Sequence, residues 1–93
     1  MFVGVSQIEF FIPESGSLKS KRFVLKSIKT KIRNKFNVSV AEVENNDKWQ
    51  RSTFGVAIVS NDKKIIDSTL NQILNLIEDD GRVEVIDYGT EIF

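Results

Sequence analysis

Residues 2–12 are rich in Val, Ile and Phe and stop at Pro13, whose missing N–H cannot extend a ladder, so they predict a first strand. Pro13 to Ser17 reads as a connecting loop. The period then changes. Leu18, Leu25, Ile28, Ile32 and Phe36 recur at helical spacing and predict a helix over about residues 18–35, with Ser17 as N-cap and Asn37 closing it in the left-handed conformation. Val38, Val40, Ala41 and Val43 return to a β-rich run, followed by the turn cluster Asn45-Asn46-Asp47 and a second β-rich run from Arg51 to Ser60, which together predict a hairpin. Asn61 or Asp62 caps a second helix whose Ile66, Leu70, Ile73, Leu74 and Ile77 share one stripe. Asp80-Gly81 ends that helix, and residues 82–92 form a last strand.

The order β-α-β-β-α-β predicts an α+β fold of the ferredoxin-like type in a single domain spanning residues 1–93. The expected architecture is a four-stranded antiparallel sheet in the order 4-1-3-2 with both helices on one face. In the third strand Phe54, Val56 and Ile58 should face the helices, leaving Thr53, Gly55, Ala57 and Val59 on the open face. Gly4 and Ser6 of the first strand are expected on that open face too, with Phe2, Ile8 and Phe10 on the same side. Small residues make a poor stacking surface for bases but let another backbone approach closely. A homodimer through the sheet face or an edge strand is therefore expected, since apolar area of this kind needs a cover.

Composition narrows the chemistry. At 93 residues there is little margin for a separate deep active site. The chain contains no Cys and no His. Disulfides, thiolate zinc sites, cysteine nucleophiles and the usual near-neutral general base are excluded, leaving carboxylates, lysines, Tyr88 and hydroxyls. The carboxylate pairs Glu42/Glu44 and Asp79/Asp80 have no second cluster at ligand spacing. No catalytic residue, metal site or cofactor is assigned, and a non-enzymatic role is expected. The apolar first residues carry Glu9 and lack a basic n-region and a cleavage site, and nothing approaches transmembrane length, so no membrane partner is expected and the expected location is cytoplasmic.

Charge changes the picture most. The formal net charge is zero, yet Lys19, Lys21, Arg22, Lys26, Lys29, Lys31, Arg33 and Lys35 all fall between Ser15 and Ala41 with no acidic residue among them. At 100° per residue, Lys19, Arg22, Lys26, Lys29 and Arg33 occupy an arc of roughly 80°, a ridge about 20 Å long expected opposite the apolar stripe. The ridge is the candidate nucleic-acid surface; the competing reading is a solvated helix face. Lys21 falls amid the apolar stripe instead, so it either snorkels past the helix start or meets an anion there, with the Ser15-Gly16-Ser17 loop as the rest of a candidate anion site. Lys19, Lys21 and Arg22 oppose the dipole of their own helix, as Glu78, Asp79 and Asp80 oppose that of the second. Antiparallel helices would bring the two clusters together, and mutual compensation is the preferred expectation. Trp49, entering the third strand with Gln50 and Arg51, either caps the end of the core or offers a stacking platform with Arg51 beside it.

Two stretches go beyond pattern. The run Ser17-Leu18-Lys19-Ser20-Lys21-Arg22, and the run from Asn37 to Val43 followed by Asp47-Lys48-Trp49-Gln50-Arg51-Ser52, Gly55, Ala57 and Val59-Ser60, resemble the YlxP-like family of small uncharacterised bacterial proteins over nearly the whole chain. The resemblance implies a ferredoxin-like fold and a bacterial cytoplasmic protein. It implies no activity, since none is securely assigned to the family. Its members are often encoded beside translation initiation and ribosome-maturation factors, which favours an RNA-related role by association. The leading expectation is a non-catalytic accessory factor that binds RNA or a ribosomal particle through the first helix. The alternative is a dimeric protein-interaction or ligand-sensing module whose basic helix docks on an acidic partner.

Overall fold

The computed structural model describes all residues from Met1 to Phe93. The elements follow the expected order: β1 (Phe2–Phe11), α1 (Leu18–Lys35), β2 (Ser39–Glu44), β3 (Arg51–Ser60), α2 (Lys63–Glu78) and β4 (Glu84–Ile92). Both N-caps satisfy orphan backbone donors with a side-chain oxygen. Ser17 Oγ accepts from the Ser20 N–H at 3.1 Å, and Asp62 Oδ1 accepts from the Lys64 N–H at 2.9 Å. The sheet runs β2-β3-β1-β4 with every neighbouring pair antiparallel, which is the 4-1-3-2 arrangement. Because β1 and β3 point in opposite directions and each is followed by a helix, the helices are antiparallel as well.

One continuous core lies between the sheet and the helix layer. Ile8, Phe10, Phe54 and Val56 from the sheet meet Leu25, Ile28 and Ile32 of α1 and Ile66, Leu70, Ile73 and Ile77 of α2. The rings of Phe10 and Phe54 stack edge to face with centroids 4.9 Å apart. The third strand faces as expected, with Phe54, Val56 and Ile58 buried.

The first strand faces the other way from the expectation. Ser6, Ile8 and Phe10 are buried against the helices, and the open face carries Val3, Val5, Gln7, Glu9 and Phe11. The pairing register explains it: Gly4, Ser6 and Ile8 lie directly opposite Ile58, Val56 and Phe54, and directly opposed residues of an antiparallel pair project to the same side. Gly4 is thus an inward position. A side chain there would run into Ile66 and crowd Ile58, so the glycine is what lets α2 lie close to β1.

Two chain reversals also differ. Phe36 leaves α1 in an extended conformation and feeds directly into β2, so Asn37 does not adopt the left-handed form. Asn45 does, at φ 64°, where the β2–β3 hairpin must turn most tightly. At the same end of the sheet α2 stops at Glu78, and β4 starts only at Glu84.

Candidate nucleic-acid interface

The exposed cations of α1 follow from the helix itself. Its buried stripe is Lys21, Leu25, Ile28 and Ile32, and the residues flanking that stripe carry the charge. Lys19, Arg22, Lys26 and Arg33 are exposed and Lys29 is half-buried. None of the five forms an ion pair with a carboxylate; the four ion pairs of the chain are Lys21–Glu42, Lys31–Asp80, Arg51–Glu9 and Arg82–Asp80. The ridge does not stand opposite the stripe, however. On the helical wheel the two centres are about 100° apart, and Arg33 Nη2 accordingly reaches down to donate to the Val40 carbonyl on β2 at 3.0 Å. The outward position belongs to Phe23, 73% exposed, with the uncharged Thr30 and Asn34 on the same side. The cationic surface is the β2 flank of α1, with Lys19, Arg22, Lys26 and Lys29 free of carboxylate partners.

Lys21 meets an anion, as one sequence alternative has it, but that anion is the chain's own Glu42 on β2 and not a ligand at the Ser15-Gly16-Ser17 loop. It is 1% exposed, and its ammonium is fully engaged within the chain. Nζ donates to the carbonyls of Asn45 at 2.7 Å and Lys48 at 2.6 Å, and lies 2.9 Å from Glu42 Oε2. Three acceptors match its three protons. Glu42 also accepts from Ser52 Oγ at 2.7 Å. The residue therefore ties α1 to the β2–β3 hairpin and does not join Ser15, Gly16 and Ser17 in an anion cradle. The serines of that loop are occupied with each other and with Ser20: Ser15 Oγ donates to the Ser17 carbonyl at 3.1 Å and lies 3.2 Å from Ser20 Oγ. No sequence signal named Glu42, Asn45 and Lys48 as the partners. The placement of a lysine on an apolar stripe was the signal that partners had to exist.

The two misplaced charge clusters do not meet as expected. No ion pair joins Lys19, Lys21 or Arg22 to Glu78, Asp79 or Asp80. The antiparallel helices are offset, so the end of α2 lies beside the middle of α1: Lys31 Nζ is 3.8 Å from Asp80 Oδ2, and Arg82 Nη2 donates to Ser27 Oγ at 3.0 Å. Asp80 is held mainly by Arg82, whose Nε and Nη2 donate to its two carboxylate oxygens at 2.9 and 2.7 Å and whose backbone N–H adds a third bond at 3.0 Å.

These Arg82 bonds, with the charges of Arg82 and Lys31, outweigh burial and lower the Asp80 carboxyl from 3.8 to about 2. Its contribution to stability is complete above the ordinary carboxylate value and disappears as pH falls from about 4 through about 2. A depression of this size corresponds to about 2 kcal/mol. Urea midpoints measured at pH 5, 3 and 2 should show that loss in the wild type and a correspondingly flatter profile in Asp80→Asn. Parallel profiles would mean that the Arg82 clamp is not felt in folding.

Around the hairpin, Trp49 is 55% exposed and does not cap the core. Gln50 is anchored: its Nε2 donates to the Pro13 carbonyl at 3.0 Å, and its own carbonyl accepts from the Ile12 N–H at 2.8 Å. Arg51 lies opposite Phe11 on the open side of the sheet, 3.8 Å from Glu9 Oε2. No helix of the protein is long and apolar enough to cross a membrane.

Fold and surface define a small ferredoxin-like α+β protein with one cationic helix flank and a rigidly tied hairpin that presents a tryptophan. Residues 3–90 match the model of a family described as proteins of unknown function, DUF503, and the chain belongs to that family. It is 41% identical over 91 residues to the uncharacterized protein YlxP of Bacillus subtilis (strain 168), an alignment covering 98% of this chain and 99% of that protein. Among solved structures it is similar to a dimeric ferredoxin-like protein from an uncultured marine organism, with a TM-score of 0.44 and 7% identity over 100% of this chain and 94% of the other.

Proposed function

We propose that the protein is a non-catalytic RNA- or ribosome-associated accessory factor that holds phosphate backbone along the β2 flank of α1. The observation that carries this reading is the row Lys19, Arg22, Lys26 and Lys29, four cations on one helix flank with no carboxylate in ion-pair range, on a chain whose remaining charge is predominantly acidic. A merely solvated helix usually intersperses both signs along its faces. The carboxylates collect elsewhere: Glu9, Glu44 and Asp87 surround Thr53 on the open side of the sheet, away from the helix layer. That separation gives an approaching polyanion one preferred side.

The open face suggests how copies would associate. Val5, Ala41, Val43, Gly55 and Ala57 form an uncovered apolar area in which Val43 leans over Gly55. A two-fold pairing through this area would cover it and leave both α1 helices outward, so the working unit of the proposal is a homodimer, in the cytoplasm.

Each phosphate contact releases condensed counterions, so Lys26→Gln/Lys29→Gln should weaken binding to all RNA sequences alike and flatten the slope of log affinity against log salt by about one to two. Stability should change by no more than about 0.5 kcal/mol per site. Anisotropy of labelled RNA across a salt series reads the first effect, and sedimentation of the same samples reads the oligomeric state. Unchanged affinity at every salt concentration, or no RNA binding by the wild type at low salt, would transfer the basic flank to an acidic protein partner. A monomer at all concentrations would remove the dimer.

A further inference from the structure

Trp49 is the one tryptophan of the chain, and it stands on the surface in no hydrogen bond, ring pair or cation–π contact of the protein's own. With Phe11, Lys48, Gln50 and Arg51 it borders a shallow open groove where β1 ends and β3 begins. The groove is not a loose loop. Lys21 fixes the Asn45 and Lys48 carbonyls from below, Gln50 is bonded to the Pro13 and Ile12 backbone, and Asn45 Nδ2 donates to Thr53 Oγ1 at 2.9 Å and Glu9 Oε2 at 3.2 Å. A buried lysine with three internal acceptors is a costly device, and here it ties this hairpin to α1.

We propose that the groove receives one unpaired base of RNA, stacked on the Trp49 indole with the Arg51 guanidinium at its edge; this rests on the RNA reading above. The charge of the site favours a base over a phosphate. Asp47 adjoins Lys48 in the chain and Glu9 already pairs with Arg51, so the groove offers aromatic surface with little net charge to attract an anion. Gln50 Nε2 is held by Pro13, which orients the side-chain amide and leaves its oxygen free to accept from a base edge. The free cations begin next door: Lys19 and Arg22 share a helical turn with Lys21, whose ammonium touches the hairpin backbone. Phosphates along the α1 flank and a base in the groove divide positioning from recognition at one end of the molecule.

The lone indole makes the test direct. Full-length protein at low salt is titrated with a hairpin RNA carrying an unpaired loop and with a fully paired duplex of equal charge, following tryptophan fluorescence and, separately, anisotropy of the labelled RNA. The expected result is strong quenching by the looped RNA only, a roughly tenfold loss of affinity for it in Trp49→Ala, near-complete recovery in Trp49→Phe, and unchanged duplex binding in both variants. Circular dichroism verifies that the variants are folded. Wild-type affinity of Trp49→Ala for the looped RNA, or saturation without quenching, overturns the groove while the response of Lys26→Gln/Lys29→Gln leaves the phosphate reading standing. Absence of anisotropy change with either RNA overturns both. Wild-type quenching that follows protein concentration without RNA, together with a dimer that Trp49→Ala fails to form in sedimentation, overturns the groove proposal in favour of contact with a second copy.

Discussion

Replacing Lys21 with alanine should destabilise the fold by about 3–5 kcal/mol, more than any other charged side chain of the protein. Three losses coincide. Glu42, only 16% exposed at its side chain, keeps Ser52 but loses its cation. The Asn45 and Lys48 carbonyls lose a charged donor each, and a buried four-carbon stem leaves a void beside α1. Lys21→Met separates these effects, since it restores most of the packing without the charge. Adding Glu42→Gln to Lys21→Met should recover a large part of the loss, because the penalty of a buried, unpaired carboxylate is then gone. Urea unfolding with an unchanged m-value measures each step. In the same variants, amide exchange over Asn46–Gln50 should accelerate beyond the global change if Lys21 is what holds the hairpin. A loss below about 1 kcal/mol in Lys21→Ala would mean that the ammonium contributes no more than a solvated lysine does.

Gly4→Val should cost about 3 kcal/mol, the upper end of what overpacking usually exacts. Val is favoured in strands, so local propensity predicts the opposite sign. The penalty arises because a side chain on Gly4 enters space held by Ile66, with Ile58 and Leu70 close behind. Trimming the obstacle provides the control: Ile66→Ala alone should cost about 2–5 kcal/mol, but combined with Gly4→Val it should cost clearly less than the two single losses added. Strict additivity in thermal or urea unfolding would place the strain elsewhere than at the β1–α2 contact.

Both expectations concern positions that a one-dimensional reading registers without resolving. A lysine on the apolar stripe of α1 is legible as an anomaly, yet nothing in residues 18–35 says that its acceptors lie 24 and 27 positions further on. Gly4 is legible as a small residue in a strand, but its face depends on pairing with residues more than fifty positions away. The sequence favours Trp49 as a cap on the core over a stacking platform, and its 55% exposure removes the cap. The charge ridge was visible as a periodicity. That Arg33 turns to the Val40 carbonyl, while Lys19, Arg22 and Lys26 stay free, was not.

What the sequence by itself determined was therefore most of what near neighbours set: six elements in order, the period-2 and period-3.6 burial patterns, the Ser17 cap, the second cap to within Asn61 or Asp62, and the concentration of cations on α1. Element order was enough to select the architecture, because few connections of this kind pack without crossing. The tertiary structure alone decided which side of β1 faces inward, how far α2 is offset along α1, and which carbonyls Lys21 holds. A strand offers two faces of nearly equal pattern, and shifting a helix by a turn preserves its stripe. Only the sterics and hydrogen bonds of distant partners, Ile66 against Gly4, Asp80 and Arg82 against Ser27 and Lys31, and the hairpin backbone against Lys21, distinguish the alternatives.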